Sequence, residues 1–441
     1  MMRNKVYIIF VVFLSLIGFS SEAQKHIDES SQTITKITSD GAWCWFSDPR
    51  AIYVHSSMPG ILTGWVTSNG SIESAKIDWS GNVKKQVLAS KIDKDDHANP
   101  SFVELNNGGA AVFYVKHFDK FVRVHLMGKD ETQFGEAIHN DPFDEQELKK
   151  FPLRRTSYAN PYVLSKENGK VYCFGRWTGF KPNMMVSTDN GKTFSKSKVL
   201  ITNYPFDSNN RPYAKYFSDG KSKIHIVFTD GHPRNEPNNS VYYACYEKGA
   251  FWKADGTKIC SVDELPFEPK DATLVYKADK ENGKSWIYDI AADKKGNPVI
   301  LFAKYPDDLN HIYFYSHFDG KKWIESKICN SGKWFPQTIA GKTEREPNYS
   351  AGMTVNPLNT NEVYVSEQID GVFEIVKYKF NKRGKITFRE EITKHSKFDN
   401  VRPFIPRNMQ KGDSKVVLWM QNERYIHYTD FKTSIMMLKE N

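Results

Sequence analysis

Two histidines flank a predicted hairpin in the first third of the chain. The segment runs from Asp95-Asp96-His97 through Asn106-Asn107-Gly108-Gly109 to Phe113-Tyr114-Val115-Lys116-His117. The Asn/Gly turn between two strand-like runs predicts antiparallel pairing that returns both histidines to the same end, where opposed Cβ atoms lie about 5 Å apart. Two imidazoles beside two carboxylates could bind a metal ion or transfer protons. The alternative is two loop caps that contact water.

The N-terminus has the pattern of a secretory signal. Arg3 and Lys5 precede an apolar run from Val6 to Phe19, and Ser21-Glu22-Ala23 follows as a small-residue cleavage site. We therefore expect a signal peptide over residues 1–23 and a mature chain over 24–441 that forms a single propeller domain. No later apolar run approaches the length of a membrane helix. The predicted location is periplasmic or extracellular, without membrane insertion.

The composition narrows the class of partner. The net charge is +9 and 14% of the residues are aromatic, which would suit nucleic acid, an acidic surface or an anionic polymer. Export argues against nucleic acid, and the lysines are scattered in turns such as Lys84-Lys85 and Lys321-Lys322. An anionic carbohydrate is the expected partner, and the chain is expected to act as a monomer.

Short strand patterns fill the chain and predict an all-β fold. Runs rich in Val, Ile, Tyr and Phe alternate with Gly, Asn and Asp turns, and the best helix candidate is only Asp144–Lys150. Seven similar segments precede or open strand patterns at loosely even spacing, which predicts a seven-bladed β-propeller of four-stranded antiparallel blades. These blade-opening segments are Phe46–Arg50, His97–Pro100, Tyr158–Pro161, Asn210–Tyr213, Tyr288–Ile290, Pro347–Ser350 and Val401–Phe404.

A second repeat signal supports the propeller. Ser187-Thr188-Asp189-Asn190-Gly191-Lys192-Thr193-Phe194 fits the Asp-box pattern, in which Asp accepts backbone hydrogens, Gly adopts positive φ and the aromatic ring packs between strands. Degenerate relatives begin at Asp78 and Ser316. An Asp box is structural, so it indicates fold and not chemistry.

The motifs together resemble the BNR-repeat propeller family, which contains ulvan lyases, related enzymes acting on rhamnose-glucuronate linkages, and an α-L-rhamnosidase branch. The resemblance rests on Trp43–Ala51, Asp95–Pro100, Arg211–Tyr216 and Thr229–Arg234. It implies a lyase site built from two histidines, a tyrosine and an arginine of neighbouring blades. The matching positions are His97, His117, Tyr158 and Arg176, with a second tyrosine from Tyr213 or Tyr216; Tyr216 is assigned as catalytic and Tyr213 as substrate-binding.

Other polar residues of the blade openings are expected to converge on the same face and bind substrate. They are Arg211, Asn99, Asn160 and Tyr349.

The chemistry those residues would perform is β-elimination. A base removes the C5 proton of a uronic acid and the C4–O bond breaks, leaving a 4,5-unsaturated sugar. Arg176 would grip the carboxylate with His117 as a further donor, His97 or a tyrosine would be the base, and Tyr158 would be the acid. No catalytic cofactor is required. The leaving group stays open between a rhamnosyl O4 (lyase) and water at a non-reducing end (dehydratase).

His232, Cys245 and Cys260 form a separate candidate cluster. An imidazole and two thiolates would suit a structural zinc ion, although the spacing lacks a tight Cys-x-x-Cys pair. Two buried thiols beside an unrelated histidine explain the pattern equally well.

Three other functions compete with elimination. The rhamnosidase branch carries a histidine where this chain has Ser47. A hydrolase needs paired carboxylates, for which Asp48, Asp95 and Asp96 are available, and a sialidase needs an arginine triad. The triad candidates are Arg211, Arg345 and Arg402. A non-catalytic glycan-binding propeller is a further alternative.

Overall fold

The computed structural model describes residues 33–56, 59–307, 310–332 and 351–440. These residues form seven antiparallel sheets. From the first blade to the seventh, the inner strands of successive blades contact one another, and a bridge between Ile52 and Arg407 joins the last blade to the first. The predicted seven-bladed β-propeller is confirmed. The signal peptide (1–23) and Tyr349 lie outside the described residues.

Blades 1 to 3 each have four strands in the described chain, ordered from the axis outward. Blade 1 consists of Ala51–Val54, Gly60–Val66, Ile72–Ile77 and Val83–Ala89. Blade 2 consists of Ser101–Glu104, Ala110–Tyr114, Val122–Met127 and Ile138–Asn140. Blade 3 consists of Ser157–Leu164, Lys170–Arg176, Pro182–Ser187 and Lys198–Val199.

Blade 4 departs from the four-stranded prediction because two further strands join it, making six among the described residues. Its strands are Ala214–Ser218, Lys223–Thr229, Val241–Glu247, Ala250–Trp252, Lys258–Ser261 and Thr273–Tyr276. Thr273–Tyr276 pairs with Val241–Glu247 beside the short Ala250–Trp252 strand. The outer edge of this blade is thus extended.

Blades 5 to 7 complete the ring. Blade 5 consists of Lys284–Ala292, Pro298–Asp307, Asn310–Phe318 and Trp323–Asn330, and blade 6 of Met353–Val355, Glu362–Ile369, Val372–Phe380 and Ile386–Glu391. Blade 7 consists of Asp399–Phe404, Lys415–His427, Asp430–Glu440 and the N-terminal strand Thr33–Thr38. Pairing of Thr33–Thr38 with Asp430–Glu440 joins the two ends of the propeller.

Helical structure is sparse. The α-helix Glu145–Lys150 begins where the Asp144 carboxylate accepts the N–H groups of Gln146 (2.8 Å) and Glu147 (3.0 Å). The remaining helical segments of the described chain are short 3₁₀ turns at Asp96–Ala98, Ser165–Glu167, Thr178–Phe180, Val262–Glu264 and Pro269–Asp271. None of the helices in this part of the chain is long and apolar enough to cross a bilayer.

The Asp box forms the expected turn. Asp189 accepts the N–H (2.9 Å) and hydroxyl (2.6 Å) of Thr193, and Ser187 Oγ accepts the Gly191 N–H (2.9 Å) at φ +84°. Phe194 packs edge-on against Phe113 of blade 2. The box therefore ties blade 3 to blade 2 and contributes no group to a cavity.

Candidate active site

A cavity of about 120 Å³ lies at one end of the propeller axis. Six blades contribute to it, mostly through the residues that precede or begin their inner strands. Its lining comprises Cys44, Trp45, Phe46, Asp96, His97, His117, Phe118, Tyr158, Arg176, Phe180, Arg211, Tyr213, His232, Arg234, Trp286, Arg402 and Tyr428. His97, His117, Tyr158, Arg176, Arg211 and Tyr213 were predicted from the sequence to share a site, and the structure brings them together.

The two histidines meet as the hairpin predicts, and a single carboxylate joins them. Their rings stack with centroids 4.5 Å apart and 7° between planes. Asp95 Oδ1 lies 2.7 Å from His97 Nδ1, and Asp95 Oδ2 lies 2.8 Å from His117 Nδ1. Asp95 also caps the turn by accepting the His97 N–H (2.9 Å). Each ring thus presents its Nδ1 to Asp95, which orients both rings and leaves Nε2 for other partners.

The two rings differ in protonation. Burial opposes the charged form of His97, but Asp95 and a second carboxylate, Asp96 at 3.2 Å, outweigh it and raise the pKa well above its usual value. Burial, followed by the neighbouring His97 charge, lowers the pKa of His117 to about 4. At neutral pH the pair is therefore one imidazolium donor, His97, and one neutral imidazole, His117.

Asp96 is held from behind by blade 7. Its carboxylate, 1% exposed, accepts Arg402 Nη1 (2.6 Å) and the Tyr425 hydroxyl (2.5 Å). Arg402 also donates to the Trp43 carbonyl oxygen and to the Tyr425 hydroxyl (2.9 Å). Burial opposes ionisation of Asp96, but Arg402 and His97 more than offset it and lower its pKa. The arginine is thereby committed to support of the histidine pair.

Arg176 presents unused donors to the cavity. It ends a blade 3 strand, is 5% exposed, and its guanidinium carbon lies 4.0 Å from the Phe180 ring centroid and 4.4 Å from that of Tyr213. In the described part of the chain its Nε and Nη1 have no hydrogen-bond partner. Since buried N–H groups are normally bonded, these two are available for a ligand carboxylate.

Tyr158 lies between the histidines and Arg176. Its ring centroid is 5.5 Å from that of His97 and 5.0 Å from the Arg176 guanidinium carbon. Burial, followed by Tyr213, raises its pKa well above the usual value, so the phenol stays protonated. Its φ of 65° is strained for a tyrosine, and such strain concentrates at functional sites.

Three predicted site residues have structural positions instead. Tyr216 does not line this cavity; its ring stacks on Phe174 at 4.6 Å, and it borders a smaller adjoining pocket, whereas Tyr213 lines the cavity beside Arg176. Asn99 accepts the Cys44 N–H (3.0 Å) and donates to the Ser47 carbonyl. Asn160 accepts the Asp48 N–H (2.8 Å) and donates to the Phe174 carbonyl. Both buried amides fasten the Cys44–Asp48 segment to neighbouring blades.

The predicted zinc ligands are not assembled. His232 lies in the cavity, 5.6 Å from Tyr213 and 5.0 Å from Trp286 between ring centroids. Cys245 and Cys260 belong to different hydrophobic clusters. Among described residues, the groups of three donors within 4.8 Å are Cys44–Asp96–His97 and Asp95–His97–His117, and neither includes these cysteines. His232, Cys245 and Cys260 therefore do not fit a zinc ion.

Several cavity residues were missed by sequence reasoning. Asp95, which bonds to both rings but does not line the cavity, was noted beside His97 without a role toward the pair, and its position before a short turn could have identified it as a cap. Tyr428, Trp286 and Phe180 carry no motif. Tyr428 lies at the tip of a blade 7 hairpin. Three residues before it, Tyr425 bonds to Asp96, which is 329 residues from Tyr425 in the sequence. Tyr428 therefore reaches the histidines only because the propeller ring closes.

Fold and cavity together define a β-propeller with a polar pocket at one end of its axis. The model of the BNR repeat-containing family matches residues 62–331, and the chain belongs to that family. No curated protein sequence matches the chain significantly.

Solved structures share the fold at low identity. A polysaccharide lyase of family PL25, an ulvan lyase, has a TM-score of 0.65 at 12% identity, covering 92% of this chain and 95% of that one. The same type of enzyme bound to -[GlcA(1-4)Rha3S]- gives 0.64 at 12% identity, covering 92% and 95%. The polysaccharide lyase Uly1 gives 0.57 at 9% identity, covering 92% and 97%. At these identities the likeness concerns the fold.

Proposed function

We propose that this protein is a carbon–oxygen lyase that performs β-elimination at C4–C5 of a uronic acid in a rhamnose-containing anionic glycan. The observation that carries the proposal is the buried Arg176, a guanidinium that lines the cavity and whose Nε and Nη1 have no hydrogen-bond partner in the described chain. A uronate carboxylate is a suitable partner for a buried guanidinium whose hydrogen bonds are incomplete. Binding there would stabilise the negative charge that develops when the C5 proton is removed.

The electrostatics of the histidine pair support a role for each of the remaining groups. His117, with its pKa lowered to about 4, is neutral and can accept the C5 proton on Nε2. His97 is charged and can donate a hydrogen bond to the substrate carboxylate. Tyr158 remains a phenol and can protonate O4 as the C4–O bond breaks. This reverses the two histidines relative to the sequence expectation, because the second carboxylate, Asp96, lies beside His97 and not beside His117.

The residues that line the cavity give less support to the competing hydrolase functions. Hydrolysis by two carboxylates needs a pair about 5 to 10 Å apart across the substrate. Asp96 is the one carboxylate among the described lining residues, and Arg402 holds it. That pairing also removes Arg402 from a sialidase-like arginine triad, and Arg345 lies outside the described residues. The rhamnosidase position is occupied by Ser47, which does not line the cavity.

The test is incubation with ulvan oligosaccharides, followed by ultraviolet absorbance of the conjugated uronate and by mass spectrometry. We expect absorbance to rise with the wild-type protein and His117→Gln to lower the rate at least a hundredfold, on the order of a lost general base. His55→Gln is the matched control, because His55 bonds to Asp413 away from the cavity. Release of saturated reducing sugars without absorbance would overturn the proposal.

Mass spectrometry also identifies the leaving group. Shorter unsaturated products indicate a lyase, and loss of one water without chain cleavage indicates a dehydratase.

A further inference from the structure

A blade 7 hairpin extends over the histidine pair. Strands Lys415–His427 and Asp430–Glu440 are joined at Tyr428-Thr429. The Tyr428 ring lies edge-on to both imidazoles, with centroids 4.7 Å from His97 and 5.9 Å from His117. One wall of the cavity is therefore the tip of a strand pair whose sequence lies far from the catalytic motifs.

This tip is anchored. The Asp96 N–H donates to the Tyr428 carbonyl (3.0 Å), and the Tyr425 hydroxyl donates to the Asp96 carboxylate (2.5 Å). At the exposed edge Arg424 forms a bidentate pair with Asp430 (2.7 and 2.9 Å). Asp96 and Tyr425 are 1% and 5% exposed. Because buried contacts fix the hairpin to the residue that supports His97, it holds one position relative to the reacting groups.

The other side of the cavity is also walled. Phe180 packs under Arg176, and the Arg211 guanidinium carbon lies 5.0 Å from the Phe180 ring centroid. The cavity between these walls measures about 120 Å³, well below the roughly 300–1,000 Å³ of pockets that enclose drug-sized ligands. It suits about one sugar residue, whereas an internal uronate needs the chain to continue from both sides of that residue.

We infer that the Tyr428 hairpin blocks one side of the sugar site and restricts the enzyme to uronates at chain ends. This inference rests on the proposed elimination and adds its mode of attack. Tyr428 is the specificity-determining residue, because its ring is the part of the tip that lies against His97 and His117.

The experiment compares the wild-type protein with Tyr428→Ala on polymeric ulvan and on its oligosaccharides. Absorbance reports unsaturated uronate and viscosity reports internal cleavage. With the wild type, absorbance should rise while viscosity stays nearly constant. Tyr428→Ala should raise the ratio of polymer rate to oligosaccharide rate about tenfold, the scale of one pocket-filling group. Tyr428→Phe retains the ring and should keep the wild-type ratio.

The two proposals fail in different ways. A rapid viscosity loss with the wild-type protein, or an unchanged ratio in folded Tyr428→Ala, would overturn the inference and leave the elimination intact. Absence of unsaturated product from both substrates would overturn the proposed function, and the inference with it. The wild-type viscosity measurement decides the mode of attack even where Tyr428→Ala does not fold.

Discussion

Two clusters of buried charge lie along the propeller axis, and they differ in how fully the charges are paired. At the active site, Arg176 keeps two N–H groups without a partner in the described chain. Deeper in the axis, Asp48 is held by Arg50 (2.9 Å) and Lys215, and Asp289 by Arg407 (2.5 Å). The deep cluster separates the active-site cavity from a second cavity of about 720 Å³ at the opposite end, to which Pro49 and Arg407 contribute.

This difference in pairing distinguishes charges that stabilise the fold from a charge that is available to bind substrate. Burying an ion is costly unless a partner compensates it, and the deep carboxylates are compensated within the protein. Burial opposes ionisation of Asp48, yet Lys215 and Arg50 lower its pKa. Arg176 is surrounded by the rings of Tyr158, Phe180 and Tyr213 and has no carboxylate partner among the described residues, so a substrate carboxylate would complete its environment. Changes in the deep cluster should therefore affect folding, and changes at the site should affect catalysis.

The largest effect is expected from Asp48→Asn. It leaves Lys215 and Arg50 buried without their carboxylate, which should lower the free energy of unfolding by about 3–5 kcal/mol, measured by urea denaturation. Asp263→Asn is the control, since its partner Lys198 forms an exposed pair worth about 1 kcal/mol or less. Equal losses in the two variants would show that the deep cluster is not the structural element described above.

Arg176→Gln should lower the rate of the reaction while leaving stability nearly unchanged. We expect the rate of unsaturated-uronate formation to fall about 100- to 1,000-fold, as when one preorganised donor to a developing anion is removed. The unfolding midpoint should change little, because no buried carboxylate loses its partner. Arg389→Gln, on the surface of blade 6, should leave the rate unchanged. An Arg176→Gln protein that is destabilised but keeps a normal kcat/KM would contradict the distinction between the structural cluster and the active site.

The pH profile tests the assignment of the histidines. The active form has neutral His117 and charged His97, so kcat/KM should fall below about pH 4 as His117 gains a proton. On the alkaline side it should fall only where His97, whose pKa is raised, loses its proton. Asp95→Asn removes the main carboxylate facing His97, so the alkaline limb should move to lower pH. An alkaline limb that stays in place would contradict the role of Asp95.

The smallest effect is expected from Tyr216→Phe. Its ring packs on Phe174 in the core, outside the site cavity, so kcat/KM should remain within about twofold, as for a change that touches no reacting group. Tyr213→Phe, whose ring lies 4.4 Å from the Arg176 guanidinium carbon, should lower it more. A larger loss of kcat/KM in Tyr216→Phe than in Tyr213→Phe would instead make Tyr216 the second tyrosine of the site.

Much of the fold could be predicted because its signals are local. Strand runs, Asp-box turns and blade-opening segments repeat along the chain, and the His97–His117 hairpin follows from its turn. The six-stranded blade 4 could not be predicted, since its extra pairing depends on a neighbouring short strand. Asn99 and Asn160 also lie in blade openings, but their amides bond to the backbone of the Cys44–Asp48 segment, a contact that the sequence does not encode locally.

The distinction between the histidines also required the structure. The sequence places His97 directly after two acids, and only the fold shows that Asp95 joins both rings while Asp96, supported by Arg402, contacts His97 alone. The contact of Tyr428 with the two histidines could not be predicted either, because it forms only when the propeller closes and blade 7 packs beside blade 2.

The most direct test of the central claim is proton NMR of the product formed from a defined uronate-rhamnose oligosaccharide. Elimination predicts loss of the H5 signal and appearance of a vinylic H4 signal, with neither change in Arg176→Gln over the same period. A product that retains H5 and gains a saturated reducing end would show hydrolysis and contradict the account.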